Sequence, residues 1–250
     1  MKHRITIALT AIAILLLWIL KVNFWWYFVP FLVFLSITAL GVANIQLNYF
    51  VKSSNQNKNI NGKKIALTFD DGPTEFTPLF LDILKKHDAK ATFFCIGKQI
   101  EKHPEIFKQI IAEGHEIGSH TYRHSHANGF FSTKKIIKEI EKNDQVIRKF
   151  GVKTMLFRPP FGITNPNIAK AIFKTGKKSI GWNVRSFDTA ISDENKILRR
   201  ITKKLSPGSV ILMHDTSEKS ANVLQELLLI LQREDYKMMT VSELFNFNKK

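Results

Sequence analysis

Two long apolar runs open the chain and differ sharply from the rest of the sequence. Residues 5–20 are interrupted only by two threonines, and residues 24–45 contain few polar positions. A helix rises about 1.5 Å per residue, so the second run would extend about 33 Å, enough to cross a hydrocarbon core of about 30 Å. The first run reaches only about 24 Å, although a snorkelling Lys21 could extend it. The pattern predicts a transmembrane anchor in residues 1–45, with spans at about 5–20 and 24–45.

Aromatic residues gather at the junction of the two runs. Trp18, Trp25, Trp26 and Tyr27 lie there, and such amphipathic rings favour the membrane–water interface. A hairpin of two spans fits this arrangement best. A cleaved signal peptide is the alternative, because residues 1–4 resemble its basic start, yet no small-residue cleavage site precedes the second run. We therefore expect the anchor to be retained.

Beyond the anchor, a polar linker is predicted at residues 46–63, where apolar positions follow neither the helical nor the strand period. From residue 64 onward, short β-rich runs alternate with amphipathic helical patterns, which predicts parallel β-α units. About seven such units favour a closed or nearly closed barrel, and an open doubly wound sheet is the alternative. The predicted strands lie near residues 65–69, 91–96, 115–119, 155–157, 179–183 and 209–213.

The net charge of +16 in 250 residues raises the question of nucleic-acid binding. The sequence has neither an arginine-rich helix nor a base-stacking motif, so we expect no nucleic-acid partner, and none of its features indicates a protein partner. Lysines at the surface are equally suited to solubility or to attraction by anionic lipid. The single cysteine, Cys95, lies in an apolar strand and excludes an internal disulfide.

Polar side chains follow the predicted strands at the point where each one ends. Asp70 and Asp71 follow the first strand, His120 the third and Arg158 the fourth, while Asp188 comes shortly after the fifth and His214 after the sixth. In a β/α barrel the carboxyl ends of the strands converge on one mouth, where such enzymes carry out their chemistry. The sequence therefore predicts one active site built from several strand exits.

Each motif alone has an ordinary structural explanation. Residues 70–73, DDGP, could be an acidic turn, or one carboxylate could bind a metal while its neighbour acts as a base. The spacing of His120 and His124 predicts two imidazoles on one side of a helical turn, and two imidazoles with a carboxylate suit a catalytic metal. Five histidines are predicted to lie outside the site: His3, His87, His103, His115 and His126.

Taken together and in this order, TFDDGP (68–73), HTYRH (120–124), RPPFG (158–162) and ILMHD (211–215) resemble the polysaccharide deacetylases of carbohydrate esterase family four. The resemblance covers roughly residues 64–245. It implies a distorted (β/α) barrel in residues 64–250 and a metal-dependent removal of N-acetyl, or O-acetyl, groups from glycans. It also implies one divalent metal, with zinc expected and cobalt or nickel as alternatives.

The resemblance further implies roles for single residues. Asp70 matches the general base and His214 the general acid, with Arg158 holding the base. The expected metal ligands are Asp71, His120 and His124. On the substrate side, the backbone N–H of Phe161 matches an oxyanion donor and Leu212 lines the acetyl pocket, and Trp182 and Asp188 belong to a further motif. That motif departs from the family pattern, because Arg185 replaces its first acid and Thr189 its final tryptophan. We expect Arg185 to lie on the active-site rim and to influence the choice of substrate.

The side of the membrane on which the barrel lies is predicted by two conflicting arguments. Basic residues flank both runs, and the positive-inside tendency would place them in the cytoplasm. Acetylated polymers, in contrast, lie mostly outside the inner membrane, and folded domains are exported despite flanking lysines. We expect an extracytoplasmic catalytic domain tethered to membrane lipid. The polymer itself stays open among peptidoglycan, a chitin-like oligomer and an exopolysaccharide.

Overall fold

The computed structural model describes residues 2–247, so the outer bounds of the predicted anchor and catalytic regions, residues 1 and 250, lie outside it. The chain begins with two helices, α1 (Lys2–Ile19) and α2 (Phe28–Ala43), joined by a short 3₁₀ turn at Phe24–Tyr27. Lys2–Ile19 and Phe24–Ala43 are long and apolar enough to cross a membrane by length and composition. Apart from Gly41, the residues of α1 and α2 are exposed or half-buried.

Strands and helices alternate through the rest of the described chain. The strands are β1 (Lys64–Asp70), β2 (Ala91–Cys95), β3 (Glu116–Ser119), β4 (Leu156–Phe157), β5 (Lys178–Ser179), β6 (Val184–Arg185), β7 (Val210–His214) and β8 (Lys237–Met239). The helices are α3 (Thr77–Lys86), α4 (Gly97–Lys102), α5 (Pro104–Ala112), α6 (Thr133–Arg148), α7 (Pro166–Lys174), α8 (Glu194–Thr202), α9 (Glu218–Arg233) and α10 (Val241–Leu244).

The strands form one curled parallel sheet in the order β5-β4-β3-β2-β1-β7-β6. β8 pairs with the first residues of β1, before β2 joins that strand. The predicted α/β fold, a distorted barrel of about seven parallel strands, is confirmed. The sheet is buried on both faces, because helices cover its outside while residues such as Phe94, Leu212 and Trp182 fill its inside.

The segment predicted as a linker lies in the gap between the two edges of the sheet. Ser54 forms a parallel bridge with Ile180, beside β5, and Gln56 forms an antiparallel bridge with Ser209, beside β7. Ile45, the residue immediately before this segment and the last of the predicted second span, packs into the inner core with Ile180 and is 2% exposed. The polar sequence is explained by this position, because the segment contributes backbone and side-chain hydrogen bonds to a sheet edge that no strand covers.

Some details of the predicted pattern differ from the structure. The strand expected at 179–183 is two short strands, β5 and β6, and Trp182 lies in the turn between them. Neither α4 nor β8 was expected. β8 is exposed or half-buried along its length, so it lacks the burial of a central strand. α4 is a short helix of six residues, separated from β2 and from α5 by one residue each.

Candidate active site

The carboxyl ends of β1, β3, β4 and β7 bring the predicted residues to one end of the barrel. Asp70 is the last residue of β1, and Asp71 comes next in a left-handed conformation with φ 76°. This conformation is uncommon outside glycine. It turns the second carboxylate away from the first, so that two adjacent residues have separate environments: Asp70 is 4% exposed, whereas the side chain of Asp71 is 30% exposed.

Asp71, His120 and His124 form a cluster with the geometry of a metal site. Oδ1 of Asp71 lies 3.5 Å from Nε2 of His120 and 3.4 Å from Nε2 of His124. A tetrahedral ion with bonds of about 2.1 Å separates its ligand atoms by about 3.4 Å, so these distances suit a shared cation. Oδ1 of Asp71 is also buried without a hydrogen-bond partner among the described residues. A buried oxygen of this kind is costly unless something binds it.

The spacing of His120 and His124 predicts a helical turn, and the structure differs. The two histidines are oriented by the residues around them. Residues 120–124 form a loop in which Thr121 and His124 have positive φ. Nδ1 of His120 lies 2.8 Å from the Arg158 carbonyl oxygen, so as a donor to that oxygen it leaves Nε2 for a ligand. Burial, and to a smaller extent the nearby His124, lowers the pKa of His120 to about 3. His120 is therefore neutral, which is the state that binds a metal.

Arg158 holds Asp70 from inside the barrel. Its guanidinium is fully buried and Nη1 donates to Oδ1 of Asp70 at 2.6 Å. The remaining donors reach Thr68 Oγ1 and the carbonyl oxygens of Ile180 and Gly181. These partners satisfy the buried charge and lock the orientation of the arginine. Oδ2 of Asp70 is left facing Nε2 of His120 at 3.7 Å.

His214 lies at the end of β7, next to the cluster, and is paired with Asp188. Nδ1 of His214 and Oδ1 of Asp188 are 2.8 Å apart, and the backbone N–H of His214 donates to Oδ2 of the same carboxylate at 2.8 Å. Nε2 faces Oδ2 of Asp71 at 3.9 Å. Burial would lower the pKa of His214, but the hydrogen bond and charge of Asp188, with smaller effects of Asp70 and Asp71, raise it to about 9. His214 is thus a protonated acid at neutral pH.

Asp188, which the resemblance groups with the substrate side, is buried beside His214. It is 0% exposed, and both its oxygens are engaged, one also accepting from Ser186. Its pKa is lowered, because hydrogen bonds and the charge of His214 outweigh the effect of burial. Asp188 therefore fixes the orientation of the His214 imidazole through two hydrogen-bond contacts.

The RPPFG loop lies beside the histidines. Phe161 has φ 59°, and its ring packs against that of His124 at 4.6 Å and stacks on that of His126 at 5.4 Å. Behind it, Gly162 packs so closely on the Trp182 indole that a Cβ would collide with the ring. Leu212 is 2% exposed on the inner face of β7. His126, predicted to lie outside the site, is thus next to it without joining the ligand cluster.

Arg185, the departure from the family pattern, stacks on an aromatic residue. Its guanidinium lies 4.4 Å from the ring centre of Phe187, and that of Arg200 lies 4.3 Å from the same ring. Nε of Arg185 is buried without a hydrogen-bond partner among the described residues. That Arg185, three residues before Asp188, lies on the active-site rim stays a prediction.

Two residues of the site were not predicted. Thr68 accepts a hydrogen bond from Arg158 and donates one to the Ile211 carbonyl oxygen. The sequence feature that could have identified it is its position two residues before Asp70, which puts both side chains on the same face of β1. Asp215 is fully buried, accepts from Thr77, and has its pKa raised to about 7 by burial. Its carboxylate packs against Gly72, at a position where a Cβ would collide with it.

Comparison with known proteins defines the family. The family model for polysaccharide deacetylase matches residues 57–180. A peptidoglycan-N-acetylglucosamine deacetylase of Bacillus cereus is 35% identical over 193 residues, which are 75% of this chain and 90% of that protein. The enzyme PgdA of Listeria monocytogenes is 34% identical over 185 residues, but the chain spans only 39% of its length. The chain belongs to the polysaccharide deacetylase family.

Solved structures agree with this assignment. Peptidoglycan deacetylase PdaC from Bacillus subtilis is similar with a TM-score of 0.70 and 33% identity, covering 76% of this chain and 93% of that one. A pseudoenzyme of carbohydrate esterase family four from Bacillus anthracis is similar with a TM-score of 0.68 and 29% identity, covering 74% of this chain and 66% of that one. The family thus includes proteins of this fold that are described as inactive.

Proposed function

We propose that the chain is an active deacetylase that hydrolyses the acetamide of N-acetylated sugars in peptidoglycan. The observation that carries this proposal is the placement of a base and an acid beside two different ligands of the cluster. Oδ2 of Asp70 lies 3.7 Å from His120, and Nε2 of His214 lies 3.9 Å from Asp71. The substrate class is supported by the names of the relatives, which are peptidoglycan deacetylases.

Asp71, His120 and His124 would hold one divalent cation, most simply zinc, for which this donor set is suited. Such a cation supplies Lewis acidity toward the acetyl carbonyl and lowers the pKa of water. The protein contributes a neutral His120 and an otherwise unpartnered Asp71 oxygen.

Asp70 takes the proton of the attacking water at Oδ2, because Oδ1 is already occupied by Arg158. This ion pair fixes the orientation of the Asp70 carboxylate for its role as a general base. The backbone N–H of Phe161 would stabilise the developing oxyanion, and a single donor of this kind contributes about 3 kcal/mol in other enzymes. Leu212 and Trp182 supply apolar walls on this side.

His214 completes the reaction by giving its Nε2 proton to the departing nitrogen. The bond between the acetyl carbon and nitrogen breaks, a new carbon–oxygen bond to water has formed, and acetate and a free amine leave. An amine is a poor leaving group unless it is protonated. The partnership with Asp188 keeps His214 protonated for this step.

Membrane anchoring through α1 and α2 is part of this proposal. The backbone N–H of Thr164 donates to the carbonyl oxygen of Val42 at 3.1 Å, and its hydroxyl donates to that of Gly41 at 3.3 Å. Thr164 lies three residues after Phe161, so the end of α2 is tied to the active-site loop within about 10 Å along the chain. An extracytoplasmic domain facing cell-wall glycan is consistent with this tether.

A catalytically inactive, glycan-binding protein is the competing function, since one structural relative is a pseudoenzyme. The complete set of base, acid and three ligands favours activity. Acetate release from peptidoglycan, a chitin oligomer and an acetylated exopolysaccharide would separate the two and identify the substrate. We expect zinc-dependent release from peptidoglycan that chelation abolishes and zinc restores. Binding without acetate release from any of the three would contradict the proposal.

A further inference from the structure

A cavity of about 760 Å³ lies between the start of α1, residues 50–54, α7 and β5. Among the described residues that line it, none belongs to the candidate active site. Its volume falls within the range of about 300–1,000 Å³ typical of small-molecule sites. The cavity therefore needs an explanation that the deacetylase reaction does not supply.

The charged side chains that line the cavity among the described residues are all basic. Arg4, Lys52, Lys170 and Lys178 line the cavity, and no acidic residue does so among residues 2–247. None of these four forms a salt bridge within the described chain. Lys177, which also lines the cavity, differs because it is paired with Asp144 at 2.6 Å. Four cations without carboxylate partners around one cavity favour an anionic ligand.

The remainder of the wall is apolar and is open to the surroundings. Phe50 and Ile172 form its buried part, and Phe173 projects from α7 with 86% of its surface exposed. Exposing a phenylalanine ring to water is unfavourable, whereas a ring beside lysines is well suited to a membrane interface. The ligand should therefore have both an anionic and an apolar part.

The cavity also lies where the first apolar run begins. Arg4 immediately precedes residues 5–20, and His3 at the same end of α1 packs on Phe50 with ring centres 4.7 Å apart. If α1 crosses the bilayer, this end of the helix is at the level of the lipid headgroups. Anionic headgroups at that level attract clustered lysine and arginine residues.

We propose that this cavity binds the phosphate headgroup of an anionic membrane lipid, with Arg4, Lys52, Lys170 and Lys178 around the phosphate and an acyl chain against Phe173. This inference rests on the proposed membrane anchoring and not on the proposed deacetylation. The bound lipid would hold the catalytic domain against the bilayer at a second point, in addition to the two helices.

The test uses the full chain purified in a zwitterionic detergent, with phosphatidylglycerol, phosphatidylcholine and inorganic phosphate as separate probes. We expect one phosphatidylglycerol per chain to persist in native mass spectrometry and to raise Tm, while the other two probes do neither. Equal effects of phosphatidylcholine would overturn the charge-selective site. An equal effect of phosphate alone would overturn the lipid and leave a plain anion site.

Matched variants assign the effect to the cavity. Lys52→Gln/Lys170→Gln/Lys178→Gln should weaken phosphatidylglycerol binding at least tenfold. Lys86→Gln/Lys102→Gln/Lys149→Gln removes the same charge from exposed lysines that do not line the cavity and should bind as wild type does. Similar binding by both triple variants would contradict the proposal. Should the first triple variant fail to fold, the single change Lys170→Glu is compared with Lys149→Glu instead. Only Lys170→Glu should then weaken phosphatidylglycerol binding.

Two further readouts keep this inference separate from the proposed function. Acetate release from a soluble substrate should be the same in both triple variants and the wild type, because none of the six lysines belongs to the candidate active site. Carbonate extraction of membranes should leave the wild type in the pellet. Release of the wild type into the supernatant would overturn the anchor, and the lipid site with it, whatever the enzyme's activity.

Discussion

Nδ1 of His214 lies 2.8 Å from Oδ1 of Asp188, and this buried carboxylate also accepts the backbone N–H of His214. The pair links two strand exits that are 26 positions apart in the chain. It sets both the orientation and the charge of the proposed acid, because without Asp188 burial would favour the neutral imidazole.

Asp188→Asn should therefore move the alkaline limit of activity. His214 must be protonated to act as an acid, so activity falls as the pH rises through its pKa, which is about 9 in the wild type. In the variant the pKa-lowering effect of burial is opposed only by the smaller effects of Asp70 and Asp71, so the limit should fall from about 9 toward the ordinary value of 6.5. The kcat–pH profile measures this change, and an unmoved alkaline limb would contradict the assigned role.

His124→Gln should lose bound metal together with activity. The variant removes one of three ligands whose donor atoms all lie within 4.8 Å of one another, and loss of a ligand weakens metal binding directly. His126→Gln is the matched control, because His126 stacks on the same Phe161 ring but is not part of the cluster. Metal per chain should drop only in the first variant; a full metal content in His124→Gln would show that the ligands are misassigned.

Arg158→Lys should lower kcat without removing the metal. A lysine keeps the positive charge but cannot reach Asp70, Thr68 and two carbonyl oxygens at once, so buried acceptors lose their partners. We expect a stability loss of about 1–3 kcal/mol and a kcat at least tenfold lower. Arg123→Lys, at an exposed arginine paired with the half-buried Glu139 over 3.8 Å, should change neither quantity. Unchanged kcat in Arg158→Lys would exclude a role in holding the base.

Gly162→Ala should be more harmful than Gly151→Ala. Both glycines have positive φ, 69° and 78°, so both substitutions carry the backbone cost of about 1 kcal/mol. Only at position 162 does the new methyl group meet the Trp182 ring; around Gly151 nothing lies within 4 Å. We expect Gly162→Ala to lose a further 1–3 kcal/mol or so by overpacking, and activity with it, since it adjoins Phe161. Equal free energies of unfolding for the two variants would contradict this packing.

Much of the fold was accessible from local patterns, and the reason is physical. Buried parallel strands such as β1 and β7 need apolar residues on both faces, so they stand out as continuous apolar runs. The carboxyl ends of these strands carry polar residues, such as Asp70 and His214, whose presence packing alone does not explain. The convergence of these exits is then a consequence of the parallel topology.

The remainder depends on contacts between distant parts of the chain. The ladder position of residues 54–57 rests on bridges to Ile180 and Ser209, which no local period reveals. The loop that orients His120 and His124 has left-handed residues other than glycine, so its shape is imposed by its surroundings. The partnership of Asp188 with His214 likewise becomes visible only when the sheet brings β6 beside β7.

The most direct test of the account measures metal content and acetate release on the same samples of wild type, Asp70→Asn and Asp82→Asn. Asp70→Asn should keep the metal of the wild type, because Asp70 is not one of the clustered ligands, and lose about 10²–10⁴-fold in kcat on peptidoglycan. Asp82→Asn, an exposed change on α3, should behave as wild type. Near wild-type acetate release by a metal-loaded Asp70→Asn would contradict the central claim that Asp70 is the base of a metal-assisted deacetylase.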